Sequence, residues 1–203
     1  RNWKKRGRSW QDCHDWQSWE QTEEQAWNAA EEEKAQFDSF HMIRGTKRYG
    51  YIVDPGASSG LIGTDTLREY RDNIMIPWEF GHCIMSESTT SVSGISGKAD
   101  QAIANAQVPF WLPEIGECTW DAELIGNSGS YCPALMAMPT FLKFTTCLLS
   151  NVLPNQDGIL VIRWLNPDTG KVIKAVFIRL LYTDSGHYFL PIDRNPSPEE
   201  VRA

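Results

Sequence analysis

The amino-acid sequence predicts an all-β domain over most of its length, for three reasons. About eight short segments are rich in the β-branched, aromatic and other apolar residues that β-strands favour. Clusters of Gly, Pro, Asn, Asp and Ser separate these segments, as turn residues do. Only two short stretches among them have the pattern of a helix. We therefore expect strands that either close into a barrel or pack as a sandwich.

The composition argues against several classes of protein. The 203 residues fit one domain with an extension, and the net charge of -7 argues against a general nucleic-acid-binding protein. The 5 cysteines form no CxxC pair, so we expect free thiols in a reducing, cytoplasmic compartment and no disulfide framework or zinc ribbon. No stretch approaches the roughly 18 apolar residues of a membrane-spanning helix, so no membrane partner is expected. Because the chain begins at Arg1, we expect it to be cut from a longer polypeptide.

Residues 1–38 are predicted to form a charged, Trp-rich linker or helical extension. Residues 17–37 are rich in Glu, Gln and Ala, which suits a helix, but apolar residues are sparse. One interpretation is a solvated helix or a partly disordered linker. The other is that the basic, Trp-bearing start makes a weak nucleic-acid contact. Cys13 has no second cysteine nearby, so no metal site is expected there.

The predicted β-domain, residues 39–195, begins with a hairpin. Residues 40–44 and 48–53 are predicted to be its strands, so that the hairpin ends at Asp54. Residues 64–70 then have the pattern of a short helix, for which Thr64 is the expected N-cap.

A long hairpin is predicted for residues 84–112. An exposed, Ser/Thr-rich strand at its start and an apolar strand at its end flank a glycine-rich turn at residues 94–97. Such a hairpin can be mobile and cover a cleft. An ordinary surface hairpin is the alternative interpretation.

The rest of the domain continues the alternation of strands and turns. The apolar run at residues 132–142 leads into a short helix with Pro139 in its first turn. Residues 166–170 are predicted to form a hairpin turn, and residues 196–203 are predicted to be an exit tail. The remaining predicted strands are residues 117–125, 158–165, 171–181 and 185–192.

Asp54 is the acidic residue whose sequence context indicates a functional role. Asp54 directly follows the apolar pair Ile52 and Val53 and precedes a turn that begins with Pro55 and Gly56. A carboxylate at the end of a buried strand is costly unless it is hydrogen-bonded, paired or used. The turn residues let backbone approach backbone closely. This pattern indicates an acid presented by a rigid loop.

With these residues in view, the chain resembles the retropepsins, the aspartic proteases of retroviruses and retrotransposons, over residues 38–192. Ile-Val-Asp-Pro-Gly-Ala-Ser at residues 52–58 is similar to the family's apolar-apolar-Asp-Thr/Ser-Gly-Ala signature. Leu-Ile-Gly at residues 61–63 opens a helix just after it. Gly-Ile-Ser-Gly at residues 94–97 resembles the tip of the family's flap, and Ala-Leu-Met-Ala at residues 134–137 resembles the segment before its C-terminal helix.

The resemblance implies the closed β-barrel of the acid proteases, with one or two short helices. It also implies an aspartic endopeptidase that needs no cofactor or metal and acts as a homodimer with one catalytic Asp per subunit. Its substrate would be its own retroelement polyprotein, in the cytoplasm or within a virus-like particle. The implied residues are Asp54 for catalysis; Pro55, Gly56, Ala57 and Ser58 in the active-site loop; Gly94, Ile95, Ser96 and Gly97 in the flap; and Ala134, Leu135, Met136 and Ala137 in the second apolar loop.

Two positions bear on this interpretation. Pro55 stands where the family usually has Thr or Ser, and proline offers neither a hydroxyl nor an N–H. The alternative function is therefore a catalytically weak or inactive retropepsin-fold module for dimerisation or peptide binding. Asp168, Thr169 and Gly170 spell the family's triplet, but Asn166 and Pro167 precede them, so an ordinary turn is expected there.

Overall fold

The computed structural model of the chain describes residues 31–193, except residues 33, 36, 94–98 and 127–128. Most of the predicted N-terminal extension, the predicted flap residues Gly94, Ile95, Ser96 and Gly97, and the exit tail at residues 196–203 lie outside the described residues.

The described residues form fourteen strands and three α-helices. Helix α1 lies within residues 31–41; α2 is Thr64–Tyr70, continued by a π-helical turn at Arg71–Met75; α3 is Met138–Lys143; and a 3-10 turn spans Pro154–Gln156. The strands are β1 (Met42–Ile43), β2 (Thr46–Lys47), β3 (Gly50–Asp54), β4 (Leu61–Gly63), β5 (Ile84–Ser86), β6 (Ser91–Ser93), β7 (Ala99–Gln101), β8 (Ala104–Leu112), β9 (Gly116–Ile125), β10 (Leu135–Ala137), β11 (Thr146–Leu149), β12 (Gly158–Leu165), β13 (Val172–Tyr182) and β14 (Tyr188–Pro191).

Ten strands form one large sheet in the order β11-β12-β13-β14-β3-β10-β4-β9-β8-β5, and β1-β2 and β6-β7 form two small sheets. The prediction of a mainly β domain is therefore confirmed. The expected closed barrel is wrong for the described residues, because the large sheet has two edge strands, β5 and β11. Closure needs the two edge strands to pair with each other, and no pairing joins β5 to β11 among the described residues.

The main buried core joins residues from both halves of the large sheet with residues of helices α2 and α3. Tyr51 at its centre has its ring centroid 5.2 Å from that of Phe110 and 4.5 Å from that of Trp120. Helix α1 packs on the domain, since Phe37 is 1% exposed and its ring lies 5.5 Å from that of Tyr131. The expected boundary at residue 38 thus lies inside a helix that contacts the domain.

The predicted hairpin at residues 40–54 is wrong in detail. Phe40 and His41 end α1, and only the two-residue strands β1 and β2 pair with each other. Strand β3 is separate and pairs with β14 and β10. The helix extends to His41 because Phe37 and His41, four residues apart, bury their rings on one helix face with centroids 4.1 Å apart.

The helix at residues 64–70 is confirmed, but its predicted N-cap is wrong. The cap position is Gly63, with no side-chain cap hydrogen bond. The Thr64 hydroxyl instead donates to the carbonyl oxygen of Gly126 at 2.9 Å. Thr64, which the local sequence predicts to be the N-cap, is therefore bonded to a distant loop and does not cap its own helix.

The long hairpin at residues 84–112 is confirmed on both sides of its tip. Strand β5 pairs with β8, and β6 pairs with β7, both antiparallel. Pro139 lies in the first turn of α3, as predicted.

Gly63 illustrates how closely the chain segments approach beneath the Asp54 loop. Its N–H donates to the Cys132 carbonyl oxygen at 3.0 Å. A Cβ atom at Gly63 would lie 2.4 Å from the Ser130 carbonyl oxygen and 2.7 Å from the Cys132 nitrogen. Both neighbours are backbone atoms, so the segment that crosses here requires glycine.

We expect Gly63→Ala to lower the free energy of unfolding by about 2 kcal/mol, because relieving the clash must move backbone. Urea unfolding followed by fluorescence measures this change. Gly81→Ala is the control, since a Cβ there has no heavy atom within 4 Å. Equal stability of the two variants would contradict the close approach described for Gly63.

Candidate active site

Asp54 is the last residue of β3, and its side chain is half-buried. Its Oδ1 accepts a hydrogen bond from the Gly56 N–H at 3.0 Å, and its carbonyl oxygen accepts one from the Ala57 N–H at 3.2 Å. These bonds close a tight turn directly after the strand. The turn fixes the carboxylate and leaves it partly exposed, so a water molecule or a ligand can reach it.

Strand β10 supports this loop from beneath by running between β3 and β4. It is parallel to β3, with Ala137 opposite Asp54, and antiparallel to β4, with Leu135 opposite Leu61. The Met138 N–H donates to the Ala57 carbonyl oxygen at 3.3 Å. The second apolar segment of the sequence is therefore held against the first by backbone pairing.

The predicted site residues differ in accessibility. Pro55, Gly56 and Ser58 are exposed and Ala57 is half-buried. In the second apolar segment Ala134 and Met136 are 3% exposed and Ala137 is 0% exposed, while Leu135 is half-buried. Within this chain only Leu135 of that segment is accessible to a ligand.

Asp168 lies far along the chain in the β12–β13 turn, as predicted. The Asn166 side-chain oxygen accepts hydrogen bonds from the N–H groups of Asp168 and Thr169, each at 2.9 Å. The Gly170 N–H donates to the Asn166 carbonyl oxygen at 2.9 Å. This is ordinary turn chemistry, in which Asn organises the following backbone.

Neither Cys83 nor Cys118 is an activated nucleophile. Burial raises the pKa of the Cys83 and Cys118 thiols, so both are protonated at neutral pH, whereas the thiolate is the reactive form. The described cysteines form no disulfide with one another. No group of three or more His, Cys, Asp or Glu side chains in the described part of the chain is arranged to hold a metal ion.

A polar cleft lies beside the Asp54 loop. Ser58 and Ser59 from the loop, Asp121 and Glu123 from β9, and Lys143 from α3 line it. The Lys143 Nζ lies 3.4 Å from the Asp121 Oδ2, but both side chains are about half exposed, so this pair stabilises little.

Of the named cleft residues, the sequence pointed only to Ser58, and Glu123 is the missed residue whose carboxylate accepts two hydrogen bonds. Its Oε2 accepts a hydrogen bond from the Ser88 hydroxyl at 2.6 Å, and its Oε1 accepts one from the Thr90 hydroxyl at 3.0 Å. The only sequence signal is an acid between Ala122 and Leu124 in a predicted strand, which places it on the face opposite the core. The sequence therefore predicts which face of the strand carries Glu123, but it does not predict the residues that Glu123 contacts.

No family model matches the sequence, and no curated protein and no solved structure is significantly similar to the chain. Among the helices that the structure describes, none is both long and apolar enough to cross a membrane.

Proposed function

We propose that this chain is an aspartic endopeptidase that acts as a homodimer, contributes one Asp54 per subunit, and cleaves the retroelement polyprotein to which it belongs. The observation that carries the proposal is the Asp54 turn, supported by the strand β10 that runs between β3 and β4. We further propose that the open sheet is a variant of the retropepsin fold.

The chemistry explains why one chain is insufficient. Peptide hydrolysis by aspartic proteases uses two carboxylates that share one proton. One accepts a proton from the attacking water while the other donates to the scissile carbonyl oxygen. Asp54 is the one carboxylate that the sequence pattern places for this role, so its partner would be Asp54 of a second copy, related by a two-fold axis.

Two features of the chain suit a peptide substrate in this arrangement. Gly56 beside the carboxylate is exposed and carries no side chain, so an extended backbone has access to Asp54. The hairpin of β5 to β8 connects to the same sheet through β9, which pairs with β4 just after the Asp54 loop. By resemblance its tip, Gly94 to Gly97, would contact the substrate.

The direct test is hydrolysis of an unfolded protein, reduced and carboxymethylated casein, by the purified chain at acidic pH. We expect cleavage that a statine-type inhibitor blocks. Below the dimer dissociation constant, we expect the rate per subunit to rise with enzyme concentration, because only dimers are active. No cleavage at any concentration, or cleavage insensitive to the inhibitor, would contradict the proposal.

Pro55 favours the second candidate function, a retropepsin-fold module for dimerisation or peptide binding with little catalysis. Pro55 is exposed directly beside Asp54, at the position where the family's hydroxyl links the two loops across the dimer. Proline cannot make that hydrogen bond.

We expect Pro55→Thr to tighten the dimer about thirtyfold, because each subunit supplies one hydroxyl and the two added hydrogen bonds contribute about 1 kcal/mol each. Sedimentation equilibrium measures the dissociation constant, and casein hydrolysis at fixed concentration reports the active fraction. Pro55→Ala is the matched control, since it removes the ring without supplying a hydroxyl. If Thr and Ala variants dimerise equally, the hydroxyl plays no part in the dimer.

A further inference from the structure

We infer that Glu123 is a positioning residue of the proposed protease: its carboxylate fixes the base of the β5–β8 hairpin against the strand beside the Asp54 loop. This inference rests on the proposed function for its effect on substrate binding. The contact itself rests on the geometry of described residues alone.

The hairpin changes partner at one short linker. Strand β5 pairs with β8, in register up to Ser86 opposite Asn105, and β6 then pairs with β7 beginning at Ser91 opposite Gln101. The four residues between them, 87–90, belong to neither ladder. The direction in which the β6–β7 ladder leaves the sheet is therefore set by what holds this linker.

Glu123 holds it with both carboxylate oxygens. Ser88 and Thr90 each donate a hydroxyl hydrogen to a different oxygen, at 2.6 Å and 3.0 Å. The Ser88 hydroxyl also accepts the Thr90 N–H at 3.1 Å. Three groups thus form one network, and hydrogen bonds to a charged acceptor are stronger than neutral ones.

The other end of the linker is held from the β7 side. The Thr90 carbonyl oxygen accepts hydrogen bonds from the Ala102 N–H and from the Gln101 side-chain amide, each at 3.0 Å. The Ile103 N–H donates to the Leu124 carbonyl oxygen at 2.8 Å. Both chains of the hairpin base are therefore bonded to β9 next to Glu123.

Glu123 also contacts the strand that follows the Asp54 loop. Its own N–H donates to the Gly60 carbonyl oxygen at 2.8 Å, and it lies opposite Leu61 in the parallel β4–β9 pair. One residue thus joins the hairpin base by its side chain and the continuation of the Asp54 loop by its backbone. Substitution of the Glu123 side chain should therefore shift the position of the hairpin relative to Asp54 and leave Asp54 itself unchanged.

Steady-state hydrolysis of a synthetic peptide that matches one casein cleavage site gives KM and kcat separately. We expect Glu123→Ala to raise KM about tenfold, because the hairpin base loses both anchoring bonds, and to leave kcat within about twofold, because the reacting carboxylates are untouched. Glu123→Gln keeps one acceptor oxygen and should give an intermediate KM. Glu117→Gln is the control, since Glu117 points to the same face of β9 from its other end.

A double-mutant cycle tests the contact as such. In the Ser88→Ala, Thr90→Val background, Glu123→Ala should raise KM no further, because its partners are gone. Additive effects would overturn the inference. So would a fall in kcat with unchanged KM.

Hydrogen exchange by mass spectrometry tests the anchor without activity. We expect faster exchange of residues 87–93 and 99–103 in Glu123→Ala, with residues 158–165 in β12 unchanged. Equal exchange in wild type and variant overturns the inference even if the wild type is active. An inactive wild type overturns the proposed function and the KM effect, while faster exchange would still uphold the anchor.

Discussion

Asp54→Asn is expected to reduce casein cleavage about a thousandfold or more, because the amide can neither accept a proton from water nor share one with its partner. The fold should be unaffected. Asn retains an oxygen that accepts the Gly56 N–H, the hydrogen bond that now holds the Asp54 Oδ1 at 3.0 Å. Circular dichroism and the urea midpoint should match those of the wild type.

Mixing wild-type protein with the Asp54→Asn variant tests directly whether the active form is a dimer. A mixed dimer contains one carboxylate and one amide, so it should be inactive. Adding excess Asp54→Asn chain to wild type is therefore expected to suppress activity as subunits exchange. If activity persists at full level after exchange, each chain works alone and the homodimer proposal fails.

Asp168→Asn is the matched control, because Asp168 begins the literal Asp-Thr-Gly triplet. It should retain full activity. Its side chain is exposed in the β12–β13 turn, whose hydrogen bonds use the Asp168 backbone N–H. Loss of activity in this variant, with Asp54→Asn still active, would transfer the catalytic role to Asp168.

The parts of the fold that sequence predicted well are those specified by neighbouring residues. The turn at residues 166–170 follows from Asn and Gly at fixed positions. Strand β9 alternates buried and accessible residues along its length, which is the period-2 pattern of a half-buried strand. The local pattern sufficed there because the distant pairing partners of β9 favour the same strand conformation that the local pattern predicts.

The errors arise where distant segments decide. The Thr64 hydroxyl bonds to Gly126, 62 residues away, in place of the first turn of its own helix. Phe40 and His41 favour a strand by composition, but the helix continues through them because the Phe37 ring packs against Tyr131 and the His41 ring packs against Phe189. Burial against remote partners overrides intrinsic preference in such cases.

The candidate site divides in the same way. Asp54 and its turn were predictable because one continuous segment contains the strand, the acid and the small residues. The resemblance marked residues 134–137 as a second apolar loop, but the insertion of β10 between β3 and β4 was not predicted, since it pairs segments about 80 residues apart. Glu123 was not predictable, because its partners Ser88 and Thr90 lie 35 and 33 residues earlier.

His41 is expected to make the fold less stable in acid. Its ring is 2% exposed and packs against Phe37 and Phe189. The Nδ1 lies 2.8 Å from the Arg48 carbonyl oxygen, which can only accept, so Nδ1 carries the proton of the neutral ring. The Nε2 is buried and has no hydrogen-bond partner among the described residues.

Burial in this position lowers the pKa of His41 from 6.5 to about 4. The hydrogen bond to the Arg48 carbonyl oxygen opposes the shift, as do the charges of Asp38 and Glu69, while Lys47 adds to it. Between these pH values the unfolded chain binds a proton at His41 and the folded chain does not. The free energy of unfolding should therefore fall as the pH drops from 6.5 to about 4, by about 3 kcal/mol from this residue.

Urea unfolding at a series of pH values measures this loss. His41→Phe should flatten the dependence between pH 6.5 and about 4, at a cost of about 1 kcal/mol at neutral pH for the lost bond to Arg48. His82→Gln removes an exposed histidine and should leave the wild-type slope. An unchanged slope in His41→Phe would show that other groups cause the acid sensitivity.

Protonation of His41 destabilises the fold in the same pH range in which the proposed catalysis works best. A carboxylate pair that shares one proton works best in acid, whereas the His41 ring, in helix α1 against β14, destabilises the folded chain over the same range. The acid limb of the activity profile should then report unfolding and not loss of the reactive proton state. His41→Phe is expected to extend activity to lower pH without changing the neutral limb. A matching shift of both limbs would mean that the Phe variant perturbs the Asp54 pair itself.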